Sequence, residues 1–130
     1  MIKQKIFLSG GFHSNWQNSL ISKYNDKFIF LNPREHGLMK PTDYTFWDIH
    51  FVRRCDILFA YMESSNPSGY GLAFEIGLAI ENKKTVILID EKSLTDPDFK
   101  KYFEIVRQSS TYLFNSMEDA TKLLETFILI

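Results

Sequence analysis

One carboxylate lies among glycines in the segment Asn66-Pro-Ser-Gly-Tyr-Gly-Leu-Ala-Phe-Glu-Ile-Gly77. Four apolar residues in and after this segment recur at helical spacing: Leu72, Ile76, Ala79 and Ile80. Glu75 lies at the edge of that helical face, one turn after Gly71, and helical side chains lean toward the N-terminus. We therefore expect Glu75 to face a small polar hollow that Ser68, Gly69 and the free N–H groups of the helix start surround. The alternative is a capped helix whose glutamate pairs with a cation.

Asp48 is the second carboxylate that could work beside Glu75. It lies in a helix that leads into an apolar strand beginning at Asp56, and a helix packed on the sheet could make it face Glu75. Two carboxyl groups in a dry cleft can take different roles: one stays ionised and attacks, and the other holds a proton for a leaving group. A solvated side chain or an ion pair with Arg53 is the alternative. Asp56 itself is expected to bind nearby backbone.

Strand and helix patterns that must position these carboxylates alternate five times. The strand patterns cover residues 5–9, 27–31, 56–61, 84–90 and 111–114, and helix patterns cover 14–24, 42–54, a stretch ending near 82, 96–108 and 117–128. This alternation predicts an α/β fold, a parallel sheet with helices on both faces, in one domain spanning 1–130. The two most apolar strands, 56–61 and 84–89, should be central, which favours a flavodoxin-like three-layer sandwich with strand order 2-1-3-4-5.

The predicted strand order also predicts where a ligand binds. The first and third strands are neighbours, the chain reverses direction between them, and ligands bind such sheets at the carboxyl ends of the strands. The loops that meet there are 9–13 and 63–71, which carry most of the glycines. The polar candidates around this pocket are Asp48, Glu63, Ser68, Glu75, His13 and, from the long loop 32–42, Arg34 or His36. Ser14 is the predicted N-cap of the first helix.

Composition excludes several classes of protein. The chain has 130 residues with a net charge of -1, and its 15 basic and 16 acidic residues are interspersed, so we expect no binding to polymeric nucleic acid. A single cysteine, Cys55, excludes an intrachain disulfide framework and is expected to be a packed thiol. Without a signal-peptide pattern or an apolar run long enough to span a membrane, we expect a soluble, cytoplasmic protein.

Motifs of the common enzyme classes are absent from the sequence. It has no phosphate-binding Gly-x-x-x-x-Gly-Lys-Ser loop, no Gly-x-Gly-x-x-Gly after the first strand and no Gly-x-Ser-x-Gly elbow. Its histidines, at positions 13, 36 and 50, lack metal-ligand spacing. We therefore do not expect a dehydrogenase, kinase, serine hydrolase or metalloenzyme, and we expect neither a metal nor an organic cofactor.

Several segments together resemble the nucleoside 2-deoxyribosyltransferase family, which includes 2'-deoxynucleoside 5'-monophosphate N-glycosidases. They are Ile6-Phe-Leu-Ser-Gly-Gly-Phe12, Asp48, Cys55-Asp-Ile-Leu-Phe-Ala-Tyr61, Asn66-Pro-Ser-Gly-Tyr-Gly-Leu-Ala-Phe-Glu-Ile-Gly-Leu-Ala79 and Lys83-Lys-Thr-Val-Ile-Leu88. The similarity covers roughly residues 5–90. Phe-Glu-Ile-Gly with its upstream glycines is the most specific of these motifs.

The resemblance implies a role for each matching position. Glu75 would be the nucleophile that attacks the anomeric carbon of a deoxyribosyl group, and Asp48 the acid that helps the base to leave. Substrate-binding positions would be Gly10, Gly11, Phe12, His13, Ser68, Gly69 and Gly71. The resemblance also implies a homo-oligomer that completes its pockets across a subunit interface. Tyr112 or Asn115 could reach over that interface, although neither is part of the resemblance.

Two departures from the family pattern leave the reaction open. Transferases of this family carry an acid shortly before the catalytic glutamate, where this chain has Ser68-Gly-Tyr70. The Pro67-Ser68 pair resembles the monophosphate hydrolases, yet their arginine-bearing loop after the first strand is replaced by a loop with only His13 as a basic residue. The residues and the resemblance together predict an enzyme that cleaves or exchanges the N-glycosidic bond of deoxynucleosides or their monophosphates, with a 5'-monophosphate N-glycosidase and a non-catalytic nucleotide-binding module as alternatives.

Overall fold

Five parallel strands form one sheet in the order β2-β1-β3-β4-β5 in a computed structural model that describes residues 2–129. The strands are β1 Lys5–Gly10, β2 Ile29–Leu31, β3 Ile57–Met62, β4 Thr85–Asp90 and β5 Tyr112–Phe114. The predicted flavodoxin-like order is therefore confirmed, and β1 and β3 are neighbours. β3 and β4 are central because their nearly continuous apolar sequences can be covered on both faces.

Five helices cover the two faces of the sheet. They are α1 Trp16–Lys23, α2 Pro41–Val52, α3 Tyr70–Glu81, α4 Pro97–Ser109 and α5 Met117–Glu125, and two short 3-10 turns lie at Pro33–Glu35 and Lys92–Leu94. α1 and α5 pack on one face, while α2, α3 and α4 pack on the other. None of the helices within residues 2–129 combines the length and apolar character that crossing a membrane needs.

Successive side chains of each strand point into two different cores, as the strand period of two residues requires. The core under α1 and α5 contains Ile6, Leu8, Ile57, Phe59, Ile87 and Ile89. The core under α2, α3 and α4 contains Phe7, Leu58, Ala60, Met62, Val86 and Leu88. All of these side chains are at most 1% exposed. The rigid centre of the sheet therefore fixes the strand ends from which the site is built.

Two sequence predictions about single polar residues in this framework are confirmed. The Asp56 carboxylate accepts a hydrogen bond from the Lys5 N–H at 2.8 Å and so joins β1 to the start of β3. Cys55 is buried, and its thiol donates a hydrogen bond to the Val52 carbonyl oxygen, with 3.1 Å between sulfur and oxygen. Burial raises the pKa of the Cys55 thiol to about 11, so the thiol stays protonated and acts as a small packed side chain.

The prediction of Ser14 as the N-cap of the first helix is wrong. The helix begins later, at Trp16, with Asn15 in the cap position, and the Asn15 side chain caps none of the described N–H groups. The Ser14 hydroxyl instead donates to the Glu63 carboxylate at 2.8 Å. Glu63 is 6% exposed, and a buried carboxylate gains more from a donor than a solvated helix end does.

Candidate functional site

A pocket of about 240 Å³ opens at the carboxyl ends of β1 and β3. Eight of the residues singled out from the sequence line it: Gly10, Gly11, Phe12, Asp48, Ser68, Gly69, Gly71 and Glu75. His13 does not line the pocket; it is exposed, and its ring lies over Gly11. The pocket also includes four residues that were not predicted to line it: Pro33, Asn66, Tyr70 and Leu72, the last of which was expected only on the core-facing side of its helix.

Glycine is required at two points of this pocket. Gly10 has φ = +148°, and a Cβ atom there would lie 2.6 Å from the Tyr61 carbonyl oxygen. Gly69, the N-cap of α3, is left-handed with φ = +75°, and a Cβ atom there would collide with the Met62 side chain. Both positions let the backbone of the two loops approach β3 closely, which side chains would prevent.

A residue of the central sheet holds the Glu75 side chain in place. Glu75 is half-buried on α3, and the Ser9 hydroxyl of β1 donates to its Oε1 at 2.6 Å. This role of Ser9 was not predicted, although a polar residue inside an apolar strand is a detectable signal in the sequence. Ser9 is itself fully buried, so its hydroxyl fixes the rotamer of the glutamate with little freedom to move.

The Asp48 and Glu75 carboxyl groups line the same pocket, where a proton on one of them can be shared with the other as a hydrogen bond. Burial, and then the charge of Asp48, raise the pKa of Glu75 to about 8, although the Ser9 hydrogen bond opposes this. Burial also raises the pKa of Asp48, against the hydrogen bond with Glu75 and the charge of His36. Two like charges this close cannot both form easily, so the pair holds one proton near neutral pH.

Among residues 2–129, no lysine or arginine side chain forms an ion pair with Asp48 or Glu75. The ion pairs there join Arg107 to Asp90 and Glu104, and Lys122 to Glu118. The alternatives in which Glu75 pairs with a cation, or Asp48 with Arg53, are therefore wrong for the described structure.

Nearby cations are committed to other groups. The Arg34 guanidinium donates to the Ser14 carbonyl oxygen at 2.6 Å and lies 5.0 Å from the centre of the Phe12 ring. Lys92 Nζ donates to the Asn66 carbonyl oxygen at 2.6 Å. Both cations thus bind backbone carbonyl oxygens of the loops around the pocket, and neither side chain lines the pocket itself.

The start of α3 faces the pocket. Gly69 offers no side chain to cap the helix, no described side chain takes its place, and the first turn contains no acidic residue. Asn66, which is 6% exposed, accepts a hydrogen bond from the Ser68 N–H at 3.4 Å and shapes the turn before the helix. Uncapped N–H groups at a helix start attract oxygen atoms with negative charge, so this end of the pocket suits a hydroxyl or an anionic group.

Comparison with known protein families gives one match. The family model described as "Nucleoside 2-deoxyribosyltransferase like" matches residues 3–93 of the chain. No curated protein sequence matches the chain at the significance required.

Solved structures share the fold. A 2-desoxiribosyltransferase from Leishmania mexicana superposes with a TM-score of 0.74 at 19% identity, over 97% of this chain and 99% of that chain. A CMP N-glycosidase from Clostridium botulinum has a TM-score of 0.65 at 18% identity, over 95% of this chain and 100% of that chain. A conserved protein from Enterococcus faecalis has a TM-score of 0.59 at 16% identity, over 97% and 89%. Because the sequence identities are below 20%, the structural similarity establishes a shared fold and does not by itself establish a shared function.

Proposed function

Because the chain belongs to the nucleoside 2-deoxyribosyltransferase-like family, we propose that it breaks the N-glycosidic bond of a deoxynucleoside, with Glu75 as nucleophile and Asp48 as acid. The observation that carries this proposal is the half-buried carboxyl pair in a glycine-lined pocket. The pair shares one proton and has no paired cation among residues 2–129. The proposed reaction requires one carboxyl group to be ionised so that it can attack the sugar, and the other to be protonated so that it can give a proton to the departing base.

The first step forms a bond between a Glu75 carboxylate oxygen and the C1' atom of the sugar. The C1'–N bond breaks, its electrons go to the base, and the base nitrogen takes the proton of the carboxyl pair through Asp48. Ser9 keeps its hydrogen bond to Glu75 Oε1, which orients the other oxygen for attack. The product of this step is a free base and a glycosyl ester on Glu75.

The second step releases the sugar from that ester. A second base or a water molecule attacks C1', Asp48 accepts the proton that the attacking group loses, and the C1'–O bond electrons return to Glu75. The pair then again holds one proton and one negative charge. A transferase results when a base outcompetes water, and a hydrolase when it does not.

Burial raises the pKa of Glu75 to about 8 and also raises the pKa of Asp48, so the pair can enter the reaction with one shared proton. Positive charge develops at C1' in the transition state, and this charge favours the ionised form of Glu75. The shared proton is then held by Asp48, from which the base takes it. The pair thus supplies the leaving-group proton without taking one from water.

Features of the pocket point to two kinds of 5' group. The uncapped start of α3 beside Ser68 favours an anion, and this observation supports a deoxynucleoside 5'-monophosphate. Against it, no lysine, arginine or histidine is among the described residues that line the pocket, whereas Asp48 and Glu75 are. A phosphate carries up to two negative charges at pH 7, so we propose the nucleoside as substrate and the monophosphate as second candidate.

Incubation with each 2'-deoxynucleoside and each 5'-monophosphate tests the proposal. We expect the free base to be released from nucleosides and, when a second free base is added, a new nucleoside to form if the enzyme is a transferase. Chromatography measures both products. Release only from monophosphates would select the second candidate, and calorimetric binding without any free base would identify a non-catalytic module and contradict the proposal.

A second copy of the chain is proposed to cover the exposed faces of α2 and α3. Phe46 on α2 and Phe74 on α3 are 71% and 56% exposed, and Val52 is the one residue of α2 that is fully enclosed. Large apolar side chains that stay exposed on two packed helices mark a surface that another chain can cover. Because Asp48 and Glu75 lie on these two helices, a partner copy seated there would also narrow the pocket mouth.

Phe46→Asp is expected to convert the oligomer to a monomer, because the charge would be buried in an apolar interface. Light scattering after size-exclusion chromatography measures the mass. Leu94→Asp is the matched control, since Leu94 is also an exposed apolar side chain but lies beyond β4, and it should leave the mass unchanged. A wild-type monomer, or a Phe46→Asp protein of unchanged mass, would contradict this interface.

A further inference from the structure

Asn66 is an enclosed polar residue of the pocket that the reaction above does not use. It lies on the connection from β3 to α3, is 6% exposed and lines the same pocket as Glu75. Its backbone is fixed on both sides. The Asn66 N–H donates to the Glu63 carbonyl oxygen at 3.0 Å, and the Asn66 carbonyl oxygen accepts a hydrogen bond from Lys92 Nζ at 2.6 Å. The side chain therefore starts from a backbone that has little freedom to move.

The two ends of the Asn66 amide have different surroundings. Its Oδ1 accepts the Ser68 N–H at 3.4 Å, and Nδ2 can only donate. No acceptor among residues 2–129 binds Nδ2, yet this atom is not one of the unpartnered side-chain nitrogens that are sealed from solvent. Because Asn66 is otherwise enclosed, Nδ2 reaches solvent through the pocket. A Cβ atom on Gly11, another pocket residue, would lie 3.4 Å from it. The pocket thus contains an N–H donor without a partner, although enclosed amides are normally hydrogen-bonded.

Asn66 lies at the end of the pocket that the start of α3 forms. The helix begins at Tyr70, and Glu75 lies about 7 to 8 Å further along its axis, at a rise of about 1.5 Å per residue. In the proposed reaction C1' of the sugar faces Glu75 and the base faces Asp48. The 5' arm is the part of a deoxyribose that extends far enough from C1' to reach the helix start, where Nδ2 is free.

We propose that Asn66 is a specificity-determining residue, which donates a hydrogen bond from Nδ2 to the 5'-oxygen of the substrate. This inference rests on the proposed function, because the position of C1' at Glu75 sets the direction of the 5' arm. A neutral amide is a donor for a hydroxyl oxygen, but it does not offset the charge of a phosphate. A substrate without a 5'-oxygen would leave Nδ2 without a partner, and sites built to bind a hydroxyl group discriminate against such analogues.

Asn66→Ser removes the Nδ2 donor and keeps the turn, since a serine hydroxyl can also accept the N–H two residues later. Ser65→Ala is the matched control, because Ser65 precedes Asn66 in the same connection and is exposed. Asn66→Thr has the same acceptor, and its branched side chain suits the extended backbone favoured before Pro67. It takes the place of Asn66→Ser if that variant does not fold.

Kinetics with two substrates give the first readout: a 2'-deoxynucleoside and the 2',5'-dideoxynucleoside with the same base. Asn66→Ser should lower kcat/KM for the deoxynucleoside about three- to tenfold, the size expected for one hydrogen bond between uncharged groups. It should leave kcat/KM for the dideoxynucleoside unchanged, since that substrate has no 5'-oxygen. Ser65→Ala should match the wild type with both. Equal losses with both substrates would show that Asn66 only supports the loop and would overturn the inference.

Binding to a protein that cannot form the glycosyl ester gives the second readout. Calorimetry of the same two nucleosides is carried out with Glu75→Gln and with the double variant Glu75→Gln and Asn66→Ser. The second change should raise Kd about three- to tenfold for the deoxynucleoside only. This selective change in a protein whose wild type releases no base would support the contact with the 5'-oxygen and overturn the proposed function. Base release by the wild type, with equal changes in Kd for both nucleosides, would overturn the contact alone.

Discussion

Replacing Glu75 with glutamine is expected to lower kcat for base release by a factor on the order of 10³ or more. The amide has no negative charge, so it can neither attack C1' nor form the glycosyl ester. It still has an oxygen that can accept the Ser9 hydrogen bond, now 2.6 Å long, so the pocket should keep its shape. Steady-state kinetics by chromatography of the free base measure the loss, and mass spectrometry of the stalled wild type should detect the sugar on the peptide that contains Glu75.

Glu81→Gln is the matched control for this experiment. Glu81 is the last residue of the same helix, and its side chain is exposed, so the variant removes the same charge from α3 far from the pocket. It should retain wild-type kcat. Wild-type base release by Glu75→Gln would show that the proposed nucleophile is wrong.

Asp48→Asn should lower kcat by about 10²- to 10⁴-fold for an ordinary base, the range expected for loss of a general acid. The size of the defect should depend on the leaving group. An alkylated base that already carries a positive charge departs without a proton, so the same variant should cleave such a deoxynucleoside at close to the wild-type rate. The measurement is kcat for the two substrates in parallel.

This dependence on the leaving group separates an acid from a residue that only shapes the pocket. Asp43→Asn is the matched control, because Asp43 lies in the first turn of the same helix and is exposed; it should be active on both substrates. An Asp48→Asn defect of the same size with both substrates would contradict the role of Asp48 as proton donor.

The sheet could be predicted from the sequence because its information is local. The apolar runs of β3 and β4 identify the two central strands, and five alternations of strand and helix limit the connections to right-handed crossovers. The position of the pocket follows from the strand order, since β1 and β3 end side by side. Glu75 and Asp48 could be found because both carboxylates lie on apolar helices that must pack on this sheet.

The pairings between distant side chains could not be predicted in the same way. Ser9 and Glu75 are 66 residues apart, and Ser14 and Glu63 are 49 apart. Helix-capping rules consider only neighbours along the chain, so they assigned Ser14 to its own helix although a buried carboxylate lay within its reach. His13 was predicted to line the pocket because of its position in the sequence. The two glycines shortly before it allow the backbone several conformations, however, so the direction of the His13 side chain could not be predicted.

The hydrogen bond from β1 to Glu75 separates what can vary in this pocket from what cannot. The proposed nucleophile accepts a hydrogen bond from a fully buried strand residue, whereas Phe12, Pro33 and Tyr70 border the pocket from outside the strands. If the proposed function holds, mutations in those three residues are expected to change which base is accepted while the carboxylate of Glu75 keeps its orientation. Selection on this scaffold could then diversify substrate preference without moving the proposed nucleophile.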